Sequence, residues 1–330
     1  MTILRLVVLL AAVTVSNASV TSAQRVYCDA SMFNTVTNMW REQPDENTSQ
    51  VPAGDLAAER SIMQRVKQMF QSAFVPTGAA GLVSANYNIL PHAVTNTSRY
   101  GNTYSFTLSH QKIECLNDKP VPLDVSYGNV TVHVNSHLIG EAEAGDAAGF
   151  SVLPRGYYQL KDATVLPRAN AEGIQEFNFR DGTTVWWLTK SERLPFRLVT
   201  QREFLNKQIE ILRATSAFDA AVLAHYKRLL SEATDDVAYV TQARVPGLTQ
   251  AVHAFTSLQD PSNRIYVTVN GDYYDRSLPK STPQHILIRL RHADMALLNR
   301  SGNGPRHLES FQQLREVVRA NLPDLRSMVR

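Results

Sequence analysis

Cysteine is nearly missing from this 330-residue chain, which has only two, Cys28 and Cys115. That scarcity excludes cysteine-built metal sites and disulfide-dense miniature scaffolds. An excess of one charge sign is also missing. Thirty-three Lys and Arg face 30 Asp and Glu, a net charge of +3 to which Arg5 contributes one, too close to neutral for a dedicated nucleic-acid or polyanion binder. Beyond the first fifteen residues no apolar run is long enough to span a bilayer, which takes roughly 20 residues. Contiguous catalytic signatures are missing as well. The nearest approach to a serine nucleophile elbow, Gly149-Phe150-Ser151, lacks the second glycine, and no H-E-x-x-H zinc motif occurs. Gly302-Asn303-Gly304 has His307 where a dinucleotide loop needs its third glycine, which leaves only an anion cradle beside Arg306. No cofactor and no metal site is expected.

The first residues carry an export pattern. Arg5 precedes the apolar stretch Leu6 to Val15, and Thr21-Ser22-Ala23 offers a small-residue exit, so residues 1–23 read as a signal peptide cleaved after Ala23. The apolar stretch is too short to stay as a transmembrane anchor. A secreted or periplasmic location follows, and in an oxidising compartment Cys28 and Cys115 are expected to form one disulfide. Sequons at Asn47, Asn96, Asn129 and Asn299 matter only if the host glycosylates exported chains.

With 44% hydrophobic residues the chain can bury a sizeable core. Residues 24–54 read as an N-terminal loop segment, because 41–54 are polar and rich in turn formers. Residues 55–330 read as a single α+β domain, divisible near 200 into a strand-rich part and a mixed helical part. Asp55 is placed to cap a helix whose stripe is Ile62, Met63, Val66, Met69 and Phe70, stopped by Pro76 and Gly78. From about residue 100 to 187 the period becomes two, with turn signals every ten residues or so, as in an antiparallel meander. Tyr104, Phe106 and Leu108 alternate with polar residues, as do Val130, Val132 and Val134. Asp181-Gly182 makes a hairpin of 174–189. The adjacent Trp186 and Trp187 must point to opposite faces of their strand. Thr200 and Glu203 satisfy a capping box, with Val199 and Phe204 spaced as a staple, at the start of a helical pattern that runs to about Leu230 with a break near Thr215. A short helix is predicted around Gln250 to Phe255, strands around Ile265 to Val269 and Ile286 to Leu290, and a last helix from Pro305 ended by Pro323. The predicted fold class is α+β, an antiparallel sheet or meander flanked by several helices.

Three stretches together carry a resemblance. LPFRLVTQREFL (194–205), preceded by Trp187-Leu188-Thr189, resembles an "lPy-x-pVTrkeyL" block, and DYYDRSLPKSTPQ (272–284) resembles a "yfdkslPks-x-pQ" block, both found in a group of uncharacterised secreted bacterial proteins. Glu114-Cys115 followed by Val132-His133-Val134-Asn135 is a weaker match to the same group. The likeness departs at Gln201, where the group usually has Arg. It implies a secreted bacterial location and a shared fold, and it brings no activity and no catalytic residues with it.

Trp186, Trp187, Tyr273 and Tyr274 are the candidates for contact with an extracellular or envelope ligand, since aromatics in strands and turns suit carbohydrate or peptide. His133 and His137 lie about 13 Å apart on a straight strand, too far to share an ion. The functional expectation is a noncatalytic binding or envelope-associated protein. The alternative is a secreted hydrolase with scattered carboxylates, for which Glu176, Asp181, Asp272 and Asp275 are the candidates. Eight arginines from Arg289 to Arg330 read as a solvated basic face.

Overall fold

The computed structural model describes residues 35–87, 100–117, 119–136, 157–161, 166, 168–178, 182–190, 193–214, 219–292 and 304–330. The fold is α+β, with four helices and two mostly antiparallel sheets among these residues. The signal segment, His137, Asp181, Asn96, Asn299 and Gly302-Asn303 lie outside the described residues. Cys28 does too. Cys115 is not a free thiol, and its pairing is taken up below as a proposal.

The larger sheet has seven strands in the order β1-β2-β3-β4-β12-β7-β6, comprising β1 (Met39–Glu42), β2 (Ala80–Tyr87), β3 (Tyr104–Leu116), β4 (Lys119–Val134), β6 (Ile174–Asn178), β7 (Thr184–Leu188) and β12 (Ile286–His292). The smaller runs β10-β9-β11-β5, from β5 (Tyr157–Lys161), β9 (Tyr239–Ala243), β10 (Val252–Phe255) and β11 (Arg264–Val269), and β8 (Phe196–Leu198) also pairs with β11. β8 and β9 lie end to end along the same edge of β11, and Thr200 and Val237 meet in a bridge between them. The intervening chain is a helical hairpin, α2 (Gln201–Ala214) and α3 (Ala220–Glu232).

Side-chain alternation on the strands decides the layering. Phe106, Leu108, Val130, Val132, Trp186, Ile286 and Ile288 face one way, onto Met63, Val66 and Phe70 of α1 (Ala53–Ala73) and Phe311, Leu314 and Val318 of α4 (Gly304–Ser327). On the opposite face Phe177, Val185, Trp187 and Leu287 meet Leu160, Phe196, Ile265 and Val267 of the smaller sheet. The outer face of that sheet takes Phe204 of α2 against Val240 and Tyr266, and α2 and α3 pack on Val252 of β10. Helices, sheet, sheet and helices therefore stack as four layers. Trp186 and Trp187 do face opposite ways, and the second sheet covers Trp187.

Several sequence expectations need correction. The segment 41–54 is not all loop, because its start belongs to β1, which pairs parallel with β2. As an edge strand half open to water, β1 shows no alternation for a pattern search to find. Asp55 does not cap α1. The N-cap is Pro52, without a side-chain cap, and Asp55 sits in the first turn, where a carboxylate suits the positive end of the helix dipole. Residues 252–255 form strand β10 rather than a helix; Val252 and Phe255, three apart, have helical spacing, but on the strand they point to opposite faces. β3 and β4 are 13 and 16 residues long, longer than the ten-residue turn spacing predicted, because register shifts at His110 to Ile113 bend the hairpin without ending it. Pro323 lies inside α4. The helix passes through it because Leu322, Leu325 and Met328 stay packed in the core on either side, and that packing outweighs one lost backbone bond.

Candidate functional site

The four candidate aromatics, Trp186, Trp187, Tyr273 and Tyr274, are all buried. Trp186 is 0% exposed, with its indole N–H donating to Glu176 at 2.9 Å, and Trp187 is 3% exposed. Tyr273 is held under the 270–285 link, where its hydroxyl donates to the Gln284 carbonyl and accepts from the Lys190 N–H. Burial raises the Tyr273 phenol well above its ordinary value, opposed by the bond from Lys190. Tyr274 packs on Tyr100 and on His285. Gln284 knots the link together by donating to the carbonyls of Tyr100 and Asp275 and accepting from the Asp275 N–H, while Asn135 accepts from the Gln284 N–H at 2.8 Å. The segment 272–284 is thus a buried polar clasp that closes one end of the larger sheet. These four rings do not line a common cavity.

Of the proposed carboxylates, Asp181 lies outside the described residues, Glu176 sits on β6, and Asp272 and Asp275 belong to the 270–285 link. Burial pushes the Glu176 carboxyl up, but bonds from Arg319, Trp186 and Asn178 outweigh it and hold the group below the usual carboxylate range. Asp275 is lowered by bonds from the side chain and N–H of Ser277, in an ordinary turn. The N–H of Asp272 donates to Asn270 in the same link. Arg315 and Arg319, from the arginine-rich C-terminal part, both lean on Glu176. His133 is pushed down to about 4 by desolvation and by Arg289. Among the described residues no group of three or more His, Cys, Asp or Glu could hold a metal ion.

A cleft does open elsewhere. It lies between α1 and the chain that follows β1, has a volume of about 240 Å³, and is floored by β2. Val83 and Ala85, with Phe106 from β3 and Met63 from α1, give it an apolar base. Two ion pairs cross its rim, Lys67 to Glu42 at 2.6 Å and Arg60 to Asp45 at 2.9 Å. Gly81 shapes the neighbourhood, because a Cβ there would come within 2.6 Å of the Trp40 ring, which lies across β2 from the edge strand. Tyr87 closes one end of the cleft, and burial, then the Asp45 charge, push its phenol up to about 12.

Beyond Tyr87, α1 carries its most unusual side chain. Glu59 is 0% exposed. Its Oε1 accepts from the Asn102 amide at 2.7 Å, and Asp55, one turn earlier, accepts from the same nitrogen at 3.2 Å. The Glu59 Oε2 is buried without a hydrogen-bond partner. Desolvation raises this carboxyl to about 7, against the lowering by Asn102 and with the help of Asp55. Asn102 itself is fixed from behind, its N–H bonded to the Lys280 carbonyl at 2.8 Å and its carbonyl taking the Asn135 amide at 3.3 Å.

Sequence reasoning missed both features. The cleft depends on β1, whose sequence has the composition of a loop, and Glu59 looks like any surface acid of a helix until Asn102, 43 residues later, is placed against it. The only legible hint was that Glu59 lies four residues before Met63, and so on the apolar stripe rather than the polar face. No protein-family model matches the chain, and no curated protein and no solved structure matches it.

Proposed function

We propose that this chain is a secreted or periplasmic bacterial protein that binds a ligand without catalysing its conversion, and that the ligand occupies the cleft between α1 and β2. The observation that carries the reading is the pairing of an apolar floor with two rim ion pairs in one cleft. Sites for small molecules combine apolar walls with a few convergent polar groups. The chemistry suits a small amphiphile, whose apolar body would lie on Val83, Ala85 and Phe106 while its charged head exchanges with one rim ion pair. The hydrolase alternative has less support. Glu176 and Asp275 are held ionised by their neighbours, and the carboxyl best poised to carry a proton, Glu59, is sealed from any substrate.

The export reading rests on the pattern of residues 1–23 and on the two resembling blocks. With it comes a proposed Cys28–Cys115 disulfide, which would tie the mature N-terminus to the far end of β3 and, in the chain-entropy description, stabilise by roughly 4 kcal/mol. The binding reading is tested by thermal-shift titration of the mature protein against medium-chain carboxylates, alkyl phosphocholines, envelope glycans and short peptides. An amphiphile should give a saturable rise in Tm, equivalent to about 2.7 kcal/mol at 100 times its Kd. Ala85→Trp, which fills the floor, should abolish that rise. No saturable shift with any member of the panel would end the proposal.

A further inference from the structure

We propose that Asp55, Glu59 and Asn102 form a binding site for one calcium ion, built where the first turns of α1 meet the segment leading into β3. Three observations converge on it. Asp55 and Glu59 are four residues apart, which stacks their carboxylates on one face of α1. Asn102 comes from a distant part of the chain to touch both, with its amide nitrogen 3.2 Å from Asp55 Oδ2 and 2.7 Å from Glu59 Oε1. A half-turn of that amide puts Oδ1 where Nδ2 stands. Oδ1 would then stand about 3 Å from an oxygen of each carboxylate, close to the edge length of a coordination polyhedron whose metal bonds are roughly 2.3–2.6 Å, as for calcium.

The remaining observation points to the occupant. Glu59 Oε2 is buried, the residue is 0% exposed, and no donor reaches that oxygen. A carboxylate oxygen withdrawn from water and left without a partner is costly. A hard cation satisfies it and at the same time offsets the repulsion from Asp55. Among the described residues neither Asp55 nor Glu59 has a salt bridge, and the adjacent Arg60 is taken by Asp45. Oxygen ligands without imidazole or thiolate, at an irregular junction of helix and loop, favour calcium over zinc and over the stricter octahedron of magnesium. The backing of Asn102 by Lys280 and Asn135 fixes the third ligand in advance, so binding would lock α1 to the closed end of the sheet.

The site is independent of the cleft proposal and is tested apart from it. Mature protein stripped with a chelator is titrated with calcium chloride at pH 7.5, with Tm and terbium luminescence sensitised by nearby Tyr87 and Tyr104 as readouts. The expected result is a saturable rise in Tm of about 5 °C at 100 times the Kd, with terbium emission that calcium competes away. Glu59→Gln keeps the shape without the charge. It should fold and lose both signals. Asn102→Asp separates a ligand from a strut. As a calcium ligand, the added carboxylate should tighten binding at least tenfold; as a mere bridge between two acids, its replacement by a third acid would lower Tm without recovery on adding calcium. Absence of a calcium-dependent shift, a shift undiminished in Glu59→Gln, or no calcium rescue of Asn102→Asp would each overturn the proposal.

Discussion

His253 and His285 are 3% and 1% exposed, and burial before any other cause lowers each ring to about 4. Arg264 adds to the effect on His253, whereas on His285 the bond to the Ser136 carbonyl opposes it. His133 is lowered to about 4 as well. An unfolded histidine takes its proton near 6.5, so between pH 6.5 and 4 the unfolded chain binds more protons than the folded one and stability falls as pH falls. Each fully buried ring contributes roughly 3 kcal/mol that is present above pH 6.5 and gone below 4. Glu59 works in the opposite direction, since a carboxyl raised to about 7 favours the folded state as pH falls from 7 to 4.5. The clean measurement is therefore urea denaturation of Glu59→Gln at pH 7.5, 6 and 5 with chelator present. The midpoint should drop steadily over this series. A flat profile would mean that the three rings are not held neutral by the fold.

At the scale of the element, the start of α2 is where sequence and structure agree most closely. The Thr200 hydroxyl accepts from the Glu203 N–H at 3.3 Å, the Glu203 carboxylate accepts from the Thr200 N–H at 3.2 Å, and Val199 and Phe204 are packed in one cluster. Thr200→Ala should lower stability by about 1 kcal/mol, read from chemical denaturation. Local rules made this helix legible because every group in the capping box lies within five residues. The same is true of the 174–189 hairpin, where Gly182 has φ of +81°, and of the alternation in β3, β4, β11 and β12. Elements held by distant partners were not legible. β10 exists because β9 offers it a ladder, α4 continues through Pro323 because its far side is buried, and β1 is set by Gly81 making room for Trp40. The candidate site failed for the same reason. Strand aromatics were the visible signal, but burial absorbed them, while Glu59 acquires its properties only from Asn102 and the closing of the sheet end.

At the scale of the molecule, the seam between the sheets carries the stability of both. Trp187 is its centre, touching Phe177 at 4.9 Å and Phe196 at 5.2 Å between ring centroids, one from each sheet. Trp187→Ala should cost about 3–5 kcal/mol. Because neither sheet can bury its inner face alone, scanning calorimetry of the unmodified protein should give a single transition. Two resolved transitions, or a Trp187→Ala variant that lowers only one of them, would show that the layers fold separately.

The strand order has a temporal meaning as well. β12 sits in the middle of the larger sheet, between β4 and β7, yet it begins at Ile286, and β11, which joins β5, β8 and β9, begins at Arg264. A chain that emerges from the ribosome N-terminus first therefore holds incomplete sheets until β11 and β12 have been made. Its pairings are long-range and late, the kind that form slowly. The keystone strands come after the strands they join, so neither sheet can close until β11 and β12 have been made.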